Sequence, residues 1–492
     1  MTRYDYRTLL TTTFLTSSLG VAFLPEATAR ERYAAKERYN VLFIICDDLN
    51  CDMACYDDPI VQTPNLDRLR AGSVRFTDAY CQYPFSGPSR ASFLTGWAPD
   101  HVKVKDLETN FRDLHPKAVT MPGLFKQNGY FTGRVGKIFH AGVPNDIGTP
   151  GMDDPQSWTE TFNPIGYDKT HEKGITNLTP HRHLGSSLSY MMVDGPDSLH
   201  TDAKGAEAAC RMISEHRDDP FFIAMGFYRP HSPYVAPTRD FERYPLEKIT
   251  MPERPDDDWD DKPLYGRFTQ KLNWGLSLED QKKAKRAYYA TITFMDRQVG
   301  KILATLDREG LTGKTVIVFC SDHGYNLGEH GQWMKQALFE KSTRVPMMIS
   351  VPGRRFEKGK DCRSIVELLD LYPTLASLCG LEGIPEDLDG DDITPLLRDA
   401  SKQTGDDAIS VLSRRYQGQK YMKKGETVEG RSIRMDRYRL TEWNDGEKGG
   451  ELYDYEQDPE EFHNLWNDPD HRALRDRLSK RLHERIEKLE SK

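Results

Sequence analysis

Four uninterrupted apolar runs of strand length constrain this chain most strongly: NVLFIIC at 40–46, PFFIAMGF at 220–227, KTVIVFC at 314–320 and PMMISV at 346–351. A strand with one wet face alternates apolar and polar residues, so runs without alternation belong to strands covered on both faces. Helical spacing of apolar residues predicts the covering elements over 120–128, 203–215, 278–309 and 364–379. Such interleaving of the two patterns is that of an α/β fold, with helices on both sides of a mostly parallel sheet. At 492 residues and 37% apolar content, the chain can bury one large core and a smaller one. After residue 404 the pattern changes: candidate strands at 408–412, 431–435, 438–443 and 451–455 precede a charged helix at 471–489. This predicts a main domain over 30–404 and a C-terminal α+β subdomain over 405–492, with a small antiparallel sheet and a terminal helix.

The N-terminus has the layout of a secretory leader. Arg3 and Arg7 precede an uncharged run over 8–24, and Ala27-Thr28-Ala29 supplies small residues for cleavage. The expectation is a signal peptide over 1–29 and an exported protein, periplasmic or secreted, with no transmembrane segment in the mature chain. Export would permit disulfides among the eight cysteines, although Cys46 and Cys320 end apolar runs and read as core thiols. A net charge of −9 argues against nucleic acid as a partner, because phosphate binding needs a basic face. Any anionic substrate must therefore meet a local basic pocket. Two polar loops, 142–155 and 251–263, are surface excursions of the kind that shape pockets.

Chemistry concentrates just beyond the apolar runs. Asp47-Asp48 follow the first, and Asp322-His323-Gly324 follow the third. Ligand sites in open α/β sheets form at the carboxyl ends of strands, so these turns are expected to converge. Three carboxylates at one point repel unless a cation sits among them, and oxygen-rich ligation suits Ca²⁺ or Mg²⁺. In FSGPSRASFLTG (85–96), Pro88 suits the first helical residue and Gly96 suits the helix end, which would leave Ser86 just outside the helix start. An anion at that position gains from the unpaired amides and the dipole. Basic residues lie beyond other strand ends: Arg134, Lys137 and His140 in GRVGKIFH, Arg229 and His231 in RPH, and Lys335 twelve residues after His323.

Taken together, these segments resemble the type I, formylglycine-dependent sulfatases, and within them the iduronate-2-sulfatase branch. The resemblance rests on Asp47-Asp48, on Ser86-Gly87-Pro88-Ser89-Arg90 followed by Leu94-Thr95-Gly96, and on GKIFH, RPH, SDHGYNLGEHGQW (321–333) and Lys335. It extends through VELLDLYPTLASLCGL (366–381), RSIRMDRYRLTEW (431–443) and ELYDYEQDPEEFHNL (451–465), and is weakest over 142–200. It implies an alkaline-phosphatase-like fold, with a central mostly parallel sheet flanked by helices and a C-terminal subdomain. It implies conversion of Ser86 to formylglycine (3-oxoalanine), serine standing where cysteine is commoner, by a radical S-adenosylmethionine enzyme acting before export. It also implies one Ca²⁺ held by Asp47, Asp48, Asp322, His323 and the residue-86 oxygen. Lys137 and Lys335 would neutralise the sulfuryl oxygens, and Arg90 would orient the hydrated aldehyde. His231 would act as general acid toward the leaving sugar and His140 would accept a proton afterwards.

Two rival readings keep Ser86 unmodified. One is a phosphomonoesterase or phosphodiesterase of the same superfamily using the serine itself, and the other is an inactive protein that binds sulfated glycans. The complete signature favours the sulfatase. For the substrate, a sulfated mono-, oligo- or polysaccharide is expected, such as a 2-sulfated uronic acid, with Arg134 or Arg229 pairing with a carboxylate.

Overall fold

The computed structural model describes residues 38–268, 271–417 and 419–491, so the leader expected at 1–29 lies outside the described residues. The first apolar run forms strand β1 (Asn40–Asp47). Its side chains alternate between two cores, with Leu42, Ile44 and Cys46 on one face and Val41, Phe43 and Ile45 on the other. Both faces are dry, which is why the sequence shows no polar alternation there.

Eight further strands complete the sheet: β2 (Val74–Tyr80), β3 (Phe131–Gly136), β4 (Glu160–Phe162), β5 (Phe221–Pro230), β6 (Thr315–Ser321), β7 (Arg344–Ser350), β8 (Lys360–Cys362) and β9 (Val366–Glu367). Their order is β8-β2-β7-β6-β1-β5-β3-β4, with β9 also pairing with β2. Strand β7 runs antiparallel to β2 and β6, and every other pairing is parallel. One face carries α1 (Pro64–Ala71), α4 (Thr201–Glu215) and α5 (Leu278–Arg308). The other carries α2 (Ser86–Thr95), α3 (Met121–Gln127) and α6 (Leu371–Cys379). The fold is thus the alkaline-phosphatase-like sandwich that the resemblance implies.

The helix expected over 364–379 is shorter than its apolar spacing predicts. It starts at Leu371, after β9 and a single 3₁₀ turn (Leu368–Asp370). Glu367 and Asp370 form a reciprocal capping box at that turn, and Pro373 suits a first helical turn rather than a helix interior. At the C-terminus, β10 (Ala408–Arg415), β11 (Thr427–Arg434), β12 (Tyr438–Trp443) and β13 (Gly450–Asp454) form an antiparallel meander. Helix α7 (Arg472–Glu490) lays Leu478, Leu482 and Ile486 on it at helical spacing. Tyr83 and Leu338, which flank the segments carrying Ser86 and Lys335, belong to this same small core. All eight cysteines are free thiols, so the disulfides that export would permit are not formed. Among the described residues, no helix is long and apolar enough to cross a membrane.

One close approach matters for the site. Gly226 in β5 lies against the turn after β3, where Lys137 donates its amide to the Gly226 carbonyl at 3.0 Å. A Cβ on residue 226 would stand 1.9 Å from the Lys137 carbonyl oxygen, and Gly136 beside it has φ +68°. Gly226→Ala must therefore push backbone against backbone, and is expected to lower the unfolding free energy by about 1–3 kcal/mol, an overpacking cost. Urea denaturation checks this, and wild-type stability would contradict it.

Candidate active site

Four neighbouring parallel strands, β6, β1, β5 and β3, end at the same edge of the sheet, and each carries a titratable residue at its exit. Strand β1 ends in Asp47 and is followed by Asp48, β6 is followed by Asp322-His323, β5 by His231 and β3 by Lys137. A register shift between Cys46 and Asp47 turns β1 at its end, and Asp48 takes a left-handed conformation (φ 66°) that Asp tolerates better than most residues. Helix α2 fits beside this edge with every residue buried, so Ser86 is 2% exposed.

Ser86 lies within the helix, as its first residue, and not just outside it. The cap position belongs to Phe85, in extended conformation (φ −161°), and Pro88 is the third helical residue. Gly96 ends the helix at φ 75° as expected. The Ser86 hydroxyl does not cap the helix. It lies 3.0 Å from Asp47 Oδ1, to which it donates, and 3.1 Å from His323 Nε2.

Around this hydroxyl the charged groups interlock. Arg90, one turn along α2, donates from Nε to Asp322 Oδ2 (2.9 Å), from one terminal nitrogen to the carbonyls of Lys137 (2.7 Å) and Ile138 (2.9 Å), and from the other to Asp47 Oδ1 (3.3 Å). Lys137 Nζ donates to Asp47 Oδ2 at 2.6 Å, and Lys335 Nζ donates to Asp48 Oδ1. His231 Nε2 stands 3.7 Å from Asp48 Oδ2. Both site imidazoles have a fixed tautomer, because His323 Nδ1 donates to the Gly324 carbonyl (2.8 Å) and His231 Nδ1 to the Ser232 carbonyl (2.5 Å). Their Nε2 lone pairs therefore face the site.

The donor set fits a hard cation. Oxygens of Asp47, Asp48 and Asp322 and a nitrogen of His323 lie within 4.8 Å of one another, all from buried side chains. Burial pushes the Asp48 carboxyl up to about 7, with the charges of Asp47 and Asp322 adding to the effect against the pull of Lys335. Burial also opposes the charged form of Asp47, but Lys137, His231 and Arg90 overcome it and hold that carboxyl well below its usual range. Three carboxylates and one imidazole nitrogen in a dry cage are ligands for Ca²⁺ or Mg²⁺, and the histidine is the less usual member.

Second-layer contacts fix the cage. The Ser89 hydroxyl donates to the Asp322 carbonyl at 2.5 Å, and the Tyr288 hydroxyl donates to the Asp48 carbonyl at 2.8 Å. Ser89 sits in the serine signature and was within reach of sequence reading. Tyr288 lies in the middle of the long helix α5, with no local mark. His140 sits in the electrostatic field of Lys137, Asp47 and Arg90, with burial holding its pKa well down and its buried Nδ1 lacking a hydrogen-bond partner among the described residues.

The structure corrects three expected roles. Arg134 is buried, with Nε paired to Asp153 Oδ2 at 2.7 Å and a terminal nitrogen donating to Asn163 Oδ1 at 2.8 Å. Arg229 is buried, paired with Asp168 and donating to the His231 carbonyl at 3.1 Å. Neither guanidinium is left to meet a substrate carboxylate, and Arg229 instead props the backbone of His231. Arg90 spends its fork on Asp322, Asp47 and two carbonyls, so it acts through those carboxylates as a positioning residue.

Comparison with known proteins follows the same lines. Residues 39–381 match the Sulfatase family, and residues 328–488 match the family described as N-sulphoglucosamine sulphohydrolase, C-terminal. The chain is 31% identical to iduronate 2-sulfatase of Homo sapiens, over 94% of this chain and 96% of that one. It is also 31% identical to a sulfatase of Formosa agariphila, over 91% of this chain and 87% of that one. Its structure matches a phosphonate monoester hydrolase from Silicibacter pomeroyi with a TM-score of 0.75 at 22% identity, covering 92% of this chain and 96% of that one, a likeness of fold.

Removing the guanidinium that ties α2 to both acidic turns leaves Asp322 and Asp47 short of a buried counter-charge. Arg90→Met is expected to cost about 3–5 kcal/mol of unfolding free energy, the usual penalty for breaking a buried pair. Chemical denaturation of the two proteins measures it, and a loss near zero would contradict the bracing role.

Proposed function

The chain belongs to the sulfatase family and is a sulfuric ester hydrolase, and on that premise we propose that it removes sulfate from a sulfated saccharide, using a formylglycine made from Ser86 and one Ca²⁺. The observation that carries this reading is the place of the Ser86 oxygen, 3.0 Å from Asp47 and 3.1 Å from His323, inside a cage of carboxylates and lysines. The similarity to iduronate 2-sulfatase makes a 2-sulfated uronic acid the first substrate to examine. A leader over 1–29 would carry the protein out of the cytoplasm.

Ser86 is 2% exposed at the head of a helix buried along its whole length, so an enzyme that converts it must reach it before the chain folds. This supports maturation by a formylglycine-generating radical enzyme ahead of export. A hydrated formylglycine supplies a hydroxyl nucleophile toward sulfur, and a second hydroxyl through which sulfate is afterwards released. A calcium ion held by Asp47, Asp48, Asp322 and His323 would supply positive charge to the reaction.

The remaining work falls to this chain's own side chains. Asp47, Asp48, Asp322 and His323 Nε2 hold the cation. Lys137 and Lys335, bonded to Asp47 and Asp48 in the structure, neutralise the sulfuryl oxygens when the cation takes up the carboxylate charge. Arg90 keeps both acidic turns in register with Ser86. His140 accepts a proton after transfer once the anionic sulfate offsets Lys137, because burial and that lysine's charge otherwise depress its pKa. His231 exchanges its proton at Nε2, since Nδ1–H is committed to Ser232. Burial and the charges of Lys335 and Lys137 depress its pKa, so it donates only once the anionic sulfate has offset those lysines.

Mass spectrometry of protein from a source competent for conversion is expected to show residue 86 with two hydrogens fewer than serine, and protein from a host without the converting enzyme is expected to fold but hydrolyse almost nothing. Full turnover with unmodified serine alone would contradict the proposal.

His231→Ala discriminates the acid role from mere binding. A sugar hydroxyl is a poor leaving group and gains from a proton donor, whereas a nitrophenolate leaves unaided. Loss of a general acid typically costs ~10²–10⁴-fold, so kcat on a sulfated saccharide should fall by about that factor, and on an aryl sulfate by far less. Equal losses on both would contradict the assignment.

A further inference from the structure

Beside Ser86 lies a cavity of about 220 Å³, whose lining includes Phe85, Lys105, Gln336, Ser413, Arg414 and Gln419. Its lining residues Phe85 and Gln336 directly precede Ser86 and directly follow Lys335 in the chain, so the cavity borders the two segments that carry those site residues. Arg414, on β10 of the C-terminal sheet, is 4% exposed. It donates from Nε to the Tyr265 carbonyl (3.2 Å) and from one terminal nitrogen to the Gln336 carbonyl (2.7 Å). Among the described residues no carboxylate pairs with it, whereas the buried Arg90, Arg134, Arg229 and Arg439 each face one. The other cations on the cavity wall are already matched: Lys105 pairs with Asp100 and Glu429, and Arg415 pairs with Asp106, while the exposed Glu108 accepts the Leu107 amide.

A second cation reaches the wall residue Phe268 without lining the cavity itself. The Phe268 ring has the guanidinium carbon of Arg414 5.9 Å from its centroid and that of Arg182 5.6 Å away. Arg182 also stacks on Trp274 at 4.3 Å and has no carboxylate partner among the described residues. Burial lowers the pKa of both guanidinium groups, that of Arg414 to about 10, which marks how little negative charge surrounds them. A buried cation without a counter-ion is costly, and it is retained where a ligand brings the missing charge. Aromatic rings beside it offer an apolar platform of the kind a sugar face covers.

We infer that Arg414, assisted by Arg182 across Phe268, is a specificity subsite for a second anionic group on the saccharide that leaves from sulfur, either a carboxylate or another sulfate. The inference rests on the sulfatase reading above and moves the expected carboxylate partner from Arg134 and Arg229 to a residue of the C-terminal sheet. With Nε and one terminal nitrogen of Arg414 on carbonyls, the other terminal nitrogen supplies charge-assisted N–H donors to either anion.

The test compares substrates in pairs with converted enzyme: a 2-sulfated uronate saccharide against its carboxyl-reduced form, and a monosulfated hexosamine against the same sugar with a second sulfate. The wild-type protein is expected to prefer the doubly anionic member of at least one pair, and the preferred pair identifies the source of the anion. In Arg414→Gln the preference, read as a ratio of kcat/KM values, should shrink by about 10- to 100-fold, the range for a hydrogen bond between charged groups. Arg182→Gln, at a partly exposed site, should shrink the same ratio by a smaller factor, and carries the test if the Arg414 variant does not fold. A purely structural role, such as holding the Gln336 carbonyl, would lower both members of a pair alike. Unchanged ratios in both variants, or a wild-type protein with no preference in either pair, would overturn the subsite while leaving the sulfatase reading intact. Failure of converted enzyme to hydrolyse any sulfate ester, the aryl sulfate included, would overturn both.

Discussion

Three carboxylates with no access to water meet at the edge of the sheet, and their mutual repulsion is the constraint around which the rest is arranged. In the structure, Arg90, Lys137 and Lys335 answer that charge one by one. The answer is complete only while no further anion arrives. A sulfate ester entering the site would call on the same lysines, and a cation among the carboxylates resolves the competition. Asp48, with its carboxyl pushed up toward 7, is the group for which the lysines alone suffice least.

The fold supplies this arrangement with little freedom to vary. Four parallel strands that are neighbours in the sheet end at one edge, so two residues at each of two strand ends form the cage, and the ends of the other two add His231 and Lys137 beside it. Gly226 lets Lys137 approach the β5 backbone, and the tautomers of His231 and His323 are set by carbonyls one residue away. The C-terminal sheet is tied to the site through its core residues Tyr83 and Leu338, and through Arg414 on the Gln336 carbonyl.

Much of this was legible in the sequence because it follows from local signals. The apolar runs of β1, β5 and β6 report strands dry on both faces, and the acidic and basic residues that follow them needed only the rule that strand ends converge. The helix register around Ser86 was misplaced because Pro88 fits either the first or the third helical position, and the extended Phe85 that decides between them carries no cap side chain. The sequence leaves Arg134 and Arg229 open to a substrate because their partners, Asp153 and Asp168, lie in a region where it offers no periodicity. Arg414 and Tyr288 carry no sequence signal: each sits in regular structure far along the chain from Ser86, and only the tertiary fold brings Tyr288 to the Asp48 carbonyl and Arg414 to the Gln336 carbonyl.

The central claim is that Asp47, Asp48, Asp322 and His323 form the cation cage that organises the residue derived from Ser86. Anomalous diffraction from crystals of converted protein grown with calcium tests it most directly. The account predicts one strong calcium peak among those four side chains and the residue-86 oxygen, with the Lys137 and Lys335 ammonium groups moved off Asp47 and Asp48. An empty cage with both lysines still on their carboxylates, or calcium bound only at the Glu442, Asp445 and His483 cluster of the C-terminal region, would contradict it.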